Sequence, residues 1–484
     1  MRHLDAKHAL RFLYLLVVCL GFPRGAWSQD STPDPSREAA NAQTSSPAAQ
    51  DASSDSESSD ALTVFPHSET SRYWVSGQAN IILQWHGSFP AKYSGPNSLH
   101  PYSENATSKV FTLFLGYALT HTTEVFLDIE SASGHGISEA LGLAGFTNLD
   151  VVRNPQLSHA PYVARAMLRQ IIPLSDDRVT AERGPFALAT SLPARRFEFR
   201  VGKFSMVDFF DLNTWGTDSR LQFLNWTVDN NGAYDYAANT RGYTDGVMVE
   251  YDDHWWSVSF AETLMPKVAN GINLDADVAR ARAENLEAEA RGNLFLHRAG
   301  AVRLLGYLNH ANMGNYEETN SDFKNNLTPV PDITFTRKQG RHKYGFGLNF
   351  EQDLPAKLGL FGRLGWSDGH NESFAYTEVD RTIELGLFTK GEAWKRRNDR
   401  AGIAFVANGI VAAHQQYLAL GGKGFLLGDG ALRYGPEKIF EGFYTAHMWR
   451  GFFGSFGLQH VNNPGYNKDR GPVLVPTVRF HADF

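Results

Sequence analysis

The last ten residues, "VPTVRFHADF" (475–484), decide the fold class. Val478, Phe480, Ala482 and the terminal Phe484 would share one face of an extended strand, and the residues between them are polar or charged. Alternation with a period of two is typical of a β-strand that has one apolar face and one wet face. The segment therefore predicts a terminal amphipathic strand.

Segments of the same kind recur through the chain from about residue 75. Clear examples are "RRFEFRVG" (195–202), "KYGFGLNFE" (343–351) and "RTIELGLFTK" (381–390). Their lengths match those of tilted strands that cross a bacterial outer membrane, and barrels of that membrane commonly end on a C-terminal Phe. Sixteen strands are predicted, near residues 75, 109, 123, 162, 195, 244, 254, 281, 300, 343, 357, 381, 400, 441, 452 and 473. The segment "ARAENLEAEAR" (281–291) could equally be helical by propensity.

The predicted connections alternate between long and short. Long ones, of up to about 40 residues, follow odd-numbered strands, and short turns such as "THT" follow even-numbered ones. The stretch 171–194 is the one exception. Outer-membrane barrels place long loops outside the cell and short turns in the periplasm. The expected fold is therefore all-β: a transmembrane antiparallel β-barrel of about 16 strands, with long extracellular loops and short periplasmic turns.

Three regions are expected along the chain. Residues 1–28 have a basic start, an apolar run and a small-residue cleavage site, which predicts a signal peptide. Residues 29–70 are rich in Ser, Ala, Asp and Pro and are expected to be a disordered acidic tether. Residues 71–484 are assigned to the barrel. The single Cys, Cys19, lies in the signal peptide, so disulfides and thiolate metal sites are not expected.

The net charge is divided between the segments before the barrel and the barrel itself. Of the net charge of -7, the first 29 residues carry +3 and residues 30–62 carry -6, which leaves about -4 for the rest. Because positive and negative charges nearly balance in the rest of the chain, nucleic acid is not expected as a partner. Outer-membrane lipids are the expected surroundings. A homotrimer is left open.

Sixteen strands enclose an aqueous lumen. Because charged residues on the lipid face are costly, the charged strand residues should face inward. Acids on the third strand and arginines on the fourth and fifth would set a transverse field across the pore, or would merely keep the channel wet. The predicted inward residues are Glu124, Asp128, Glu130, Arg165, Arg169, Arg196, Glu198, Arg200, Glu250, Glu287, Glu289, Arg303, Glu351 and Arg363.

The stretch "VGKFSMVDFFDLNTWGTDSRLQFLNW" (201–226) begins the third and longest external loop. So many aromatic rings need a surface to pack on, which predicts that the loop folds back into the lumen and narrows it. Most of the rings would anchor the loop, and some, such as Trp215, would stack on sugars. The polar residues expected at the narrowest point are Lys203, Asp208, Asp211, Asn213 and Arg220.

Several long motifs, in one order from about residue 75, resemble the carbohydrate-selective porin family (OprB-like). They include "GKFSMVDFFDLNTWGTDSRLQFLNW", "GAYDYAANTRGYTDGVMVEY", "YLALGGKGFLLGDGALRYGPEKIFE" and "NNPGYNKDRGPVLVPTVRFHADF". The resemblance implies passive diffusion of sugars through a constriction lined by arginines, an acid and aromatic rings. It puts Lys203, Asp208, Asp211 and Asn213 near that constriction. Some members of the family are assigned to divalent cations, manganese in particular.

The expected function is therefore an outer-membrane porin for mono- and oligosaccharides, and a cation-permeating porin of the same family is the alternative. Sugars or hydrated ions would be the partners. An enzyme is not expected, because a wet pore denies Asp208 and Asp211 the dry pocket that a glycosidase acid needs. No cofactor or metal site is expected, since the histidines do not have metal-ligand spacing. The remaining alternative function is that of a structural anchor.

Overall fold

The computed structural model describes residues 61–154 and 157–484. The predicted signal peptide (1–28) and residues 29–60 of the predicted tether lie outside the described residues. Residues 61–72 of the described part form no regular secondary structure, and the first strand begins at Tyr73.

Eighteen strands are formed by the described residues. In chain order they are β1 (Tyr73–His86), β2 (Glu104–Ala118), β3 (Thr123–Gly134), β4 (Tyr162–Pro173), β5 (Arg178–Thr180), β6 (Ser191–Pro193), β7 (Arg196–Phe204), β8 (Thr244–Asp253), β9 (Trp256–Leu264), β10 (Arg282–Phe295), β11 (Arg298–Met313), β12 (Lys338–Leu354), β13 (Leu358–Ser367), β14 (Arg381–Lys390), β15 (Arg400–Gly409), β16 (Glu437–Trp449), β17 (Phe452–Asn462) and β18 (Val473–Asp483).

Sixteen of these strands form one closed antiparallel barrel, and the short strands β5 and β6 pair only with each other. Each barrel strand pairs with its neighbours in the chain, and β18 closes the barrel against β1, with Gln78 opposite Asp483 and Gln84 opposite Thr477. The predicted sixteen-stranded barrel is confirmed. The helical alternative for 281–291 is wrong, because β10 pairs along its length with β9 and β11.

The outer surface of the wall is apolar. Alternate strand residues such as Phe111, Leu113, Ile383 and Leu385 are exposed on it, while their neighbours in the chain are buried. Exposed aromatic residues mark both ends of this surface, where rings with an apolar body and a polar edge suit a membrane boundary. They are Tyr117, Trp255, Trp394, Tyr444 and Trp449 at the short-turn end, and Trp85, Tyr344 and Trp366 at the long-loop end.

The connections sort by length between the two ends of the barrel, as predicted. Long loops of 10 to 39 residues follow β1, β3, β7, β9, β11, β13, β15 and β17. The other end has short turns, except for residues 174–195, which contain β5 and β6. The described residues of the loops form three α-helices, α1 (Trp226–Asp229), α2 (Tyr316–Lys324) and α3 (Ala412–Ala419). Short 3-10 helices lie at Ile137–Ala140, Met206–Asp208, Ile333–Thr336, Pro355–Lys357, Gly391–Trp394 and Pro464–Tyr466. Among the described residues, no helix is both long and apolar enough to span a membrane.

Candidate pore constriction

The connection between β7 and β8, residues 205–243, lies inside the barrel, and we call it the inner loop. Its residues 221–240 are all buried. The rings of Phe210, Phe223 and Trp226 belong to one apolar cluster with wall residues such as Phe361 and Phe443. Phe223 meets Phe443 edge-on, with 4.8 Å between ring centroids. The wall therefore supplies the surface that the aromatic residues of the loop require.

Arg363 of β13 is the main anchor of the inner loop on the wall. Its side chain is fully buried. It donates hydrogen bonds to the carbonyl oxygens of Val228 (2.9 Å) and Asp229 (3.0 Å). It also forms ion pairs with Asp211 of the loop (3.0 Å) and Glu384 of β14 (3.1 Å). One guanidinium thus joins two stretches of the loop to two strands.

A second set of anchors comes from β16 and β18. The Glu441 carboxylate accepts hydrogen bonds from the backbone N–H groups of Leu224 (2.8 Å) and Asn225 (3.0 Å). Arg479 donates to the carbonyl oxygens of Ser219 (2.7 Å) and Gln222 (3.0 Å). Since Arg479 and Glu441 lie several strands from β7, these bonds carry the loop across the lumen.

Asp211 lies at the point where the inner loop turns along the wall. Its backbone is left-handed, with a φ of 59°. Its carboxylate accepts hydrogen bonds from the Asn231 N–H (2.7 Å) and the Asn349 amide (3.0 Å), in addition to the Arg363 ion pair. Its own N–H donates to Glu287 of β10 (2.9 Å). Asn213 continues the contact with β12, because its amide donates to Asn349 Oδ1 (2.7 Å).

Asp208 binds the other side of the lumen. Its two carboxylate oxygens accept hydrogen bonds from Arg165 of β4, each at 2.7 Å. Arg165 also reaches Asp128 of β3 at 3.3 Å. Asp208 further accepts a hydrogen bond from the Ser205 N–H (3.1 Å), which completes a capping box at the start of the loop. Asp208 and Asp211 therefore both hold the loop, on opposite sides.

Acids and arginines of the wall lie in direct contact. Arg169 binds Glu124 (2.9 Å) and Glu198 (2.8 Å), and Arg200 binds Glu198 (2.7 Å) and reaches Glu250 (3.4 Å). The predicted inward positions of these residues agree with their burial. The acids and arginines that were expected to oppose one another across the pore instead form ion pairs between adjacent strands.

Lys203 does not line the lumen, contrary to the prediction. It is paired in register with Ala166 of β4 and Asp245 of β8, and both neighbours are exposed on the outer wall. Side chains of directly paired residues in an antiparallel sheet point to the same face. Lys203 therefore lies on the outer face, next to an acid, near the long-loop end.

Trp215 packs on the wall. Its ring stacks on Phe388 of β14, with centroids 5.1 Å apart, and lies against Gly359 of β13, where a Cβ would come within 2.5 Å of the ring. Arg220, the other residue predicted for the eyelet, forms an ion pair with Asp150 of the loop after β3 and donates to Gln78 of β1 (3.2 Å). Both residues are partly exposed within the barrel.

A small polar cavity, partly open to solvent, remains between the inner loop and the wall of β8–β11. The loop contributes the ring of Phe209 and the side chain of Leu212. The wall contributes Glu250, Ser257, Ser259, Glu287, Glu289 and Arg303. The guanidinium of Arg200 lies over the Phe209 ring at 4.6 Å, on the same side of the loop.

Two residues that line the cavity are uncharged serines of β9. Ser257 and Ser259 were not predicted, although they alternate with Trp256, Val258 and Phe260 along β9 as inward residues should. This alternation in the sequence could have identified the two serines as inward-facing. Glu250, Glu287, Glu289 and Arg303 were expected to face inward, and the structure brings them together in this one space.

A model of the carbohydrate-selective porins, OprB family, matches residues 119–484. The chain belongs to this family. No curated protein sequence matches it. The structure of Pseudomonas putida OprB at high pH is similar to this chain, with a TM-score of 0.64, 16% sequence identity, and coverage of 85% of this chain and 94% of that one.

Two further solved structures match with lower scores. The low-pH structure of Pseudomonas putida OprB gives a TM-score of 0.46 at 12% identity, covering 85% of this chain and 92% of that one. A loop-deletion variant of OmpT from Vibrio cholerae gives 0.42 at 11% identity, covering 86% of this chain and 100% of that one.

Family membership and fold place this porin in the bacterial outer membrane. The short-turn end of an outer-membrane barrel faces the periplasm and the long-loop end faces outward. The family and the fold are those of channels rather than of enzymes.

Proposed function

We propose that this porin lets mono- and oligosaccharides diffuse passively past the inner loop. The supporting observation is the cavity between the loop and β8–β11, where an aromatic ring, two hydroxyls, three carboxylates and a guanidinium surround one space. Ligand sites combine apolar surface with a few polar groups that fix orientation. A sugar presents both kinds of surface, since its hydroxyls can bind carboxylates and its C–H faces can cover a ring.

The balance of charge around the cavity supports an uncharged solute. Arg303 binds Glu289 at 2.6 Å, and Glu250 faces Arg200 at 3.4 Å. Glu287 accepts the hydrogen bond from Asp211 N–H. Because most of these charges have a partner, the lumen should discriminate only weakly between positively and negatively charged solutes. Selectivity would then come from hydrogen bonding.

Within this proposal the predicted site residues take different roles. Glu250 contacts the solute in the cavity, and Arg200 holds the Phe209 ring beside it. Trp215 supports the loop against β13 and β14. Asp208, Asp211 and Asn213 set the width of the passage, because they fix the loop to the wall. Arg165 and Arg169 hold the opposite side through their carboxylate partners.

Cation passage is the second candidate. The cavity contains three carboxylates, Glu250, Glu287 and Glu289, and one guanidinium, Arg303. If the pairing with neighbouring arginines left enough negative charge exposed, hydrated cations would pass preferentially.

Liposome swelling with a series of sugars tests the proposal. Vesicles containing the purified porin should swell in glucose and maltose, and more slowly for larger oligosaccharides. Ser259→Leu should slow the entry of sugars, because it removes a hydroxyl and fills part of the cavity. Val258→Leu, one position along on the outer face, is the matched control and should swell like the wild type. Equal rates for the two variants would contradict the assignment of the cavity.

A further inference from the structure

The connection 174–195 between β4 and β7 is the long exception at the short-turn end. It forms a hairpin in which Thr180 is opposite Ser191 and Arg178 is opposite Pro193. Its tip is closed by a hydrogen bond from Gly184 N–H to the Ala187 carbonyl oxygen (2.7 Å). We call residues 174–195 the periplasmic insert.

The tip of the insert lies inside the barrel. Phe186 and Leu188 are buried. The Phe186 ring meets the inward ring of Phe114 edge-on at 6.2 Å. Leu188 borders inward-facing Gly116, since a Cβ there would lie 3.3 Å from the Leu188 side chain. The Leu188 N–H also donates to the inward carboxylate of Glu124 (3.2 Å). These contacts place the tip against the inner wall of β2 and β3.

Arg183 fixes the insert to the start of the barrel. Its guanidinium donates to the carbonyl oxygens of Leu188 (2.8 Å), Tyr73 (2.9 Å) and Ser71 (2.5 Å). It lies 5.8 Å from the centre of the inward Trp74 ring. Fixing so many groups costs conformational entropy, which these bonds and the buried rings offset.

The insert meets the constriction at Arg165. The Phe186 ring lies 4.6 Å from the Arg165 guanidinium, which also binds Asp208 of the inner loop. Tyr243, at the end of the inner loop, lies 5.2 Å from the same guanidinium. Arg165 is thus packed between a loop from the outer end and an insert from the periplasmic end.

We propose that the periplasmic insert is a second constriction element, which fills the β1–β4 side of the lumen and so sets the upper size of the solute. Solutes then pass on the β8–β11 side, where the polar cavity lies. The choice of sugars as solutes rests on the function proposed above, but the narrowing itself does not.

Shortening the insert tests this inference. Because Thr180 and Ser191 are paired, residues 181–190 can be replaced by Asn-Gly, a two-residue turn that suits such a hairpin. Single-channel conductance in potassium chloride should rise about twofold, since an unfilled sixteen-stranded lumen is an aqueous channel. Larger oligosaccharides should also enter vesicles faster. An unchanged conductance in a correctly closed barrel would overturn the inference.

Phe186→Ala is the second variant, because the deletion could prevent folding. It removes the ring from Arg165 and should raise conductance by a smaller amount, whereas exposed Thr190→Ala is the matched control and should leave it unchanged. A Phe186→Ala variant that conducts like the control would overturn the inference. Conductance is measured with ions, so a rise in conductance without any sugar passage would contradict the proposed function and still support the insert.

Discussion

At the scale of the residue, Asp211 shows how the inner loop is held. One carboxylate satisfies a backbone N–H, a side-chain amide and a buried guanidinium. Removing one partner of a buried pair typically costs about 3–5 kcal/mol, because the other charge stays uncompensated. Asp211 is therefore one of the main anchors of the inner loop, and neutralising its carboxylate should change the charge at the constriction.

Asp211→Asn tests that dependence. Asn tolerates the left-handed backbone and can still accept the bond from Asn231, but it leaves Arg363 with less negative charge. We expect the reversal potential in a salt gradient to shift toward anions. Asp245→Asn is the matched control, because Asp245 lies on the outer face, and it should not shift the potential. Equal potentials for the two variants would mean that the loop does not border the pore.

His414 of α3 is a buried charge among the external loops. It faces Glu378 at 3.4 Å and Asp380 at 3.9 Å and stacks on Tyr316 at 4.1 Å; Tyr417 lies 6.5 Å away, and Lys343 reaches Asp380 at 3.8 Å. Burial opposes the charged imidazole, but Asp380 and Glu378 outweigh it and raise the pKa of His414 above 6.5. Despite burial, His414 and Lys343 lower the pKa of Asp380 to about 2, so Asp380 stays charged near neutral pH.

A raised histidine pKa stabilises the folded loops below the unfolded pKa, and this contribution is lost as the pH rises through the folded pKa. Proteolysis of the external loops should therefore be faster at about pH 8.5 than at about pH 6, on either side of the ordinary histidine range. The His414→Gln variant should be cut at similar rates at both pH values. A wild-type rate that falls as the pH rises would refute this assignment.

The site residues could be predicted only in part. Alternation correctly predicted that Arg169, Arg200 and Glu250 face inward. For Lys203 the motif was misleading, because it lies near the end of β7, where register rather than family position decides which face a side chain occupies. The partners of Asp208 and Asp211 lie on β4 and β13, far apart in the chain, and no local pattern could have paired them.

At the scale of the element, the inner loop is a folded segment with its own anchors. The number of its aromatic residues predicted that it would turn inward. The depth of insertion could not be predicted, since it depends on wall groups such as Glu441 and Arg479 that look from sequence like ordinary lumen charges. The exceptional length of 171–194 was visible too, but nothing local indicated that its tip enters the barrel.

Glu441→Ala should loosen the inner loop. It leaves the N–H groups of Leu224 and Asn225 without their acceptor, at about 1–3 kcal/mol for each unpaired group. Open-channel current should become noisier, and the loop should be cut faster by protease. Glu441→Gln retains an acceptor oxygen and should behave much more like the wild type. Quiet currents from Glu441→Ala would show that this anchor does not hold the loop.

At the scale of the whole molecule, the closed wall follows from a pattern that the chain repeats many times. Period-two alternation and the sorting of connections by length predicted the sixteen-stranded barrel, because both reflect the membrane and not any single contact. The contents of the lumen depend on contacts between distant residues and could not be predicted in the same way.

Leu385→Arg tests the outer wall. Leu385 is exposed near the middle of β14, and an arginine at mid-membrane costs about 2–4 kcal/mol. The variant should unfold at lower urea concentration in lipid vesicles. His121→Arg, in the short turn after β2, is the matched control and should unfold like the wild type. If Leu385→Arg unfolds at the same urea concentration as the wild type, Leu385 does not face the lipid.

We propose that the lumen, narrowed by the inner loop, selects for sugars through hydrogen bonds to polar and mutually paired charged groups. Planar-bilayer recording of the purified porin tests it most directly. Weak ion selectivity in a salt gradient, with current that falls as glucose or maltose is added, is the predicted result. Strong preference for cations with no reduction of current by sugar would contradict the claim.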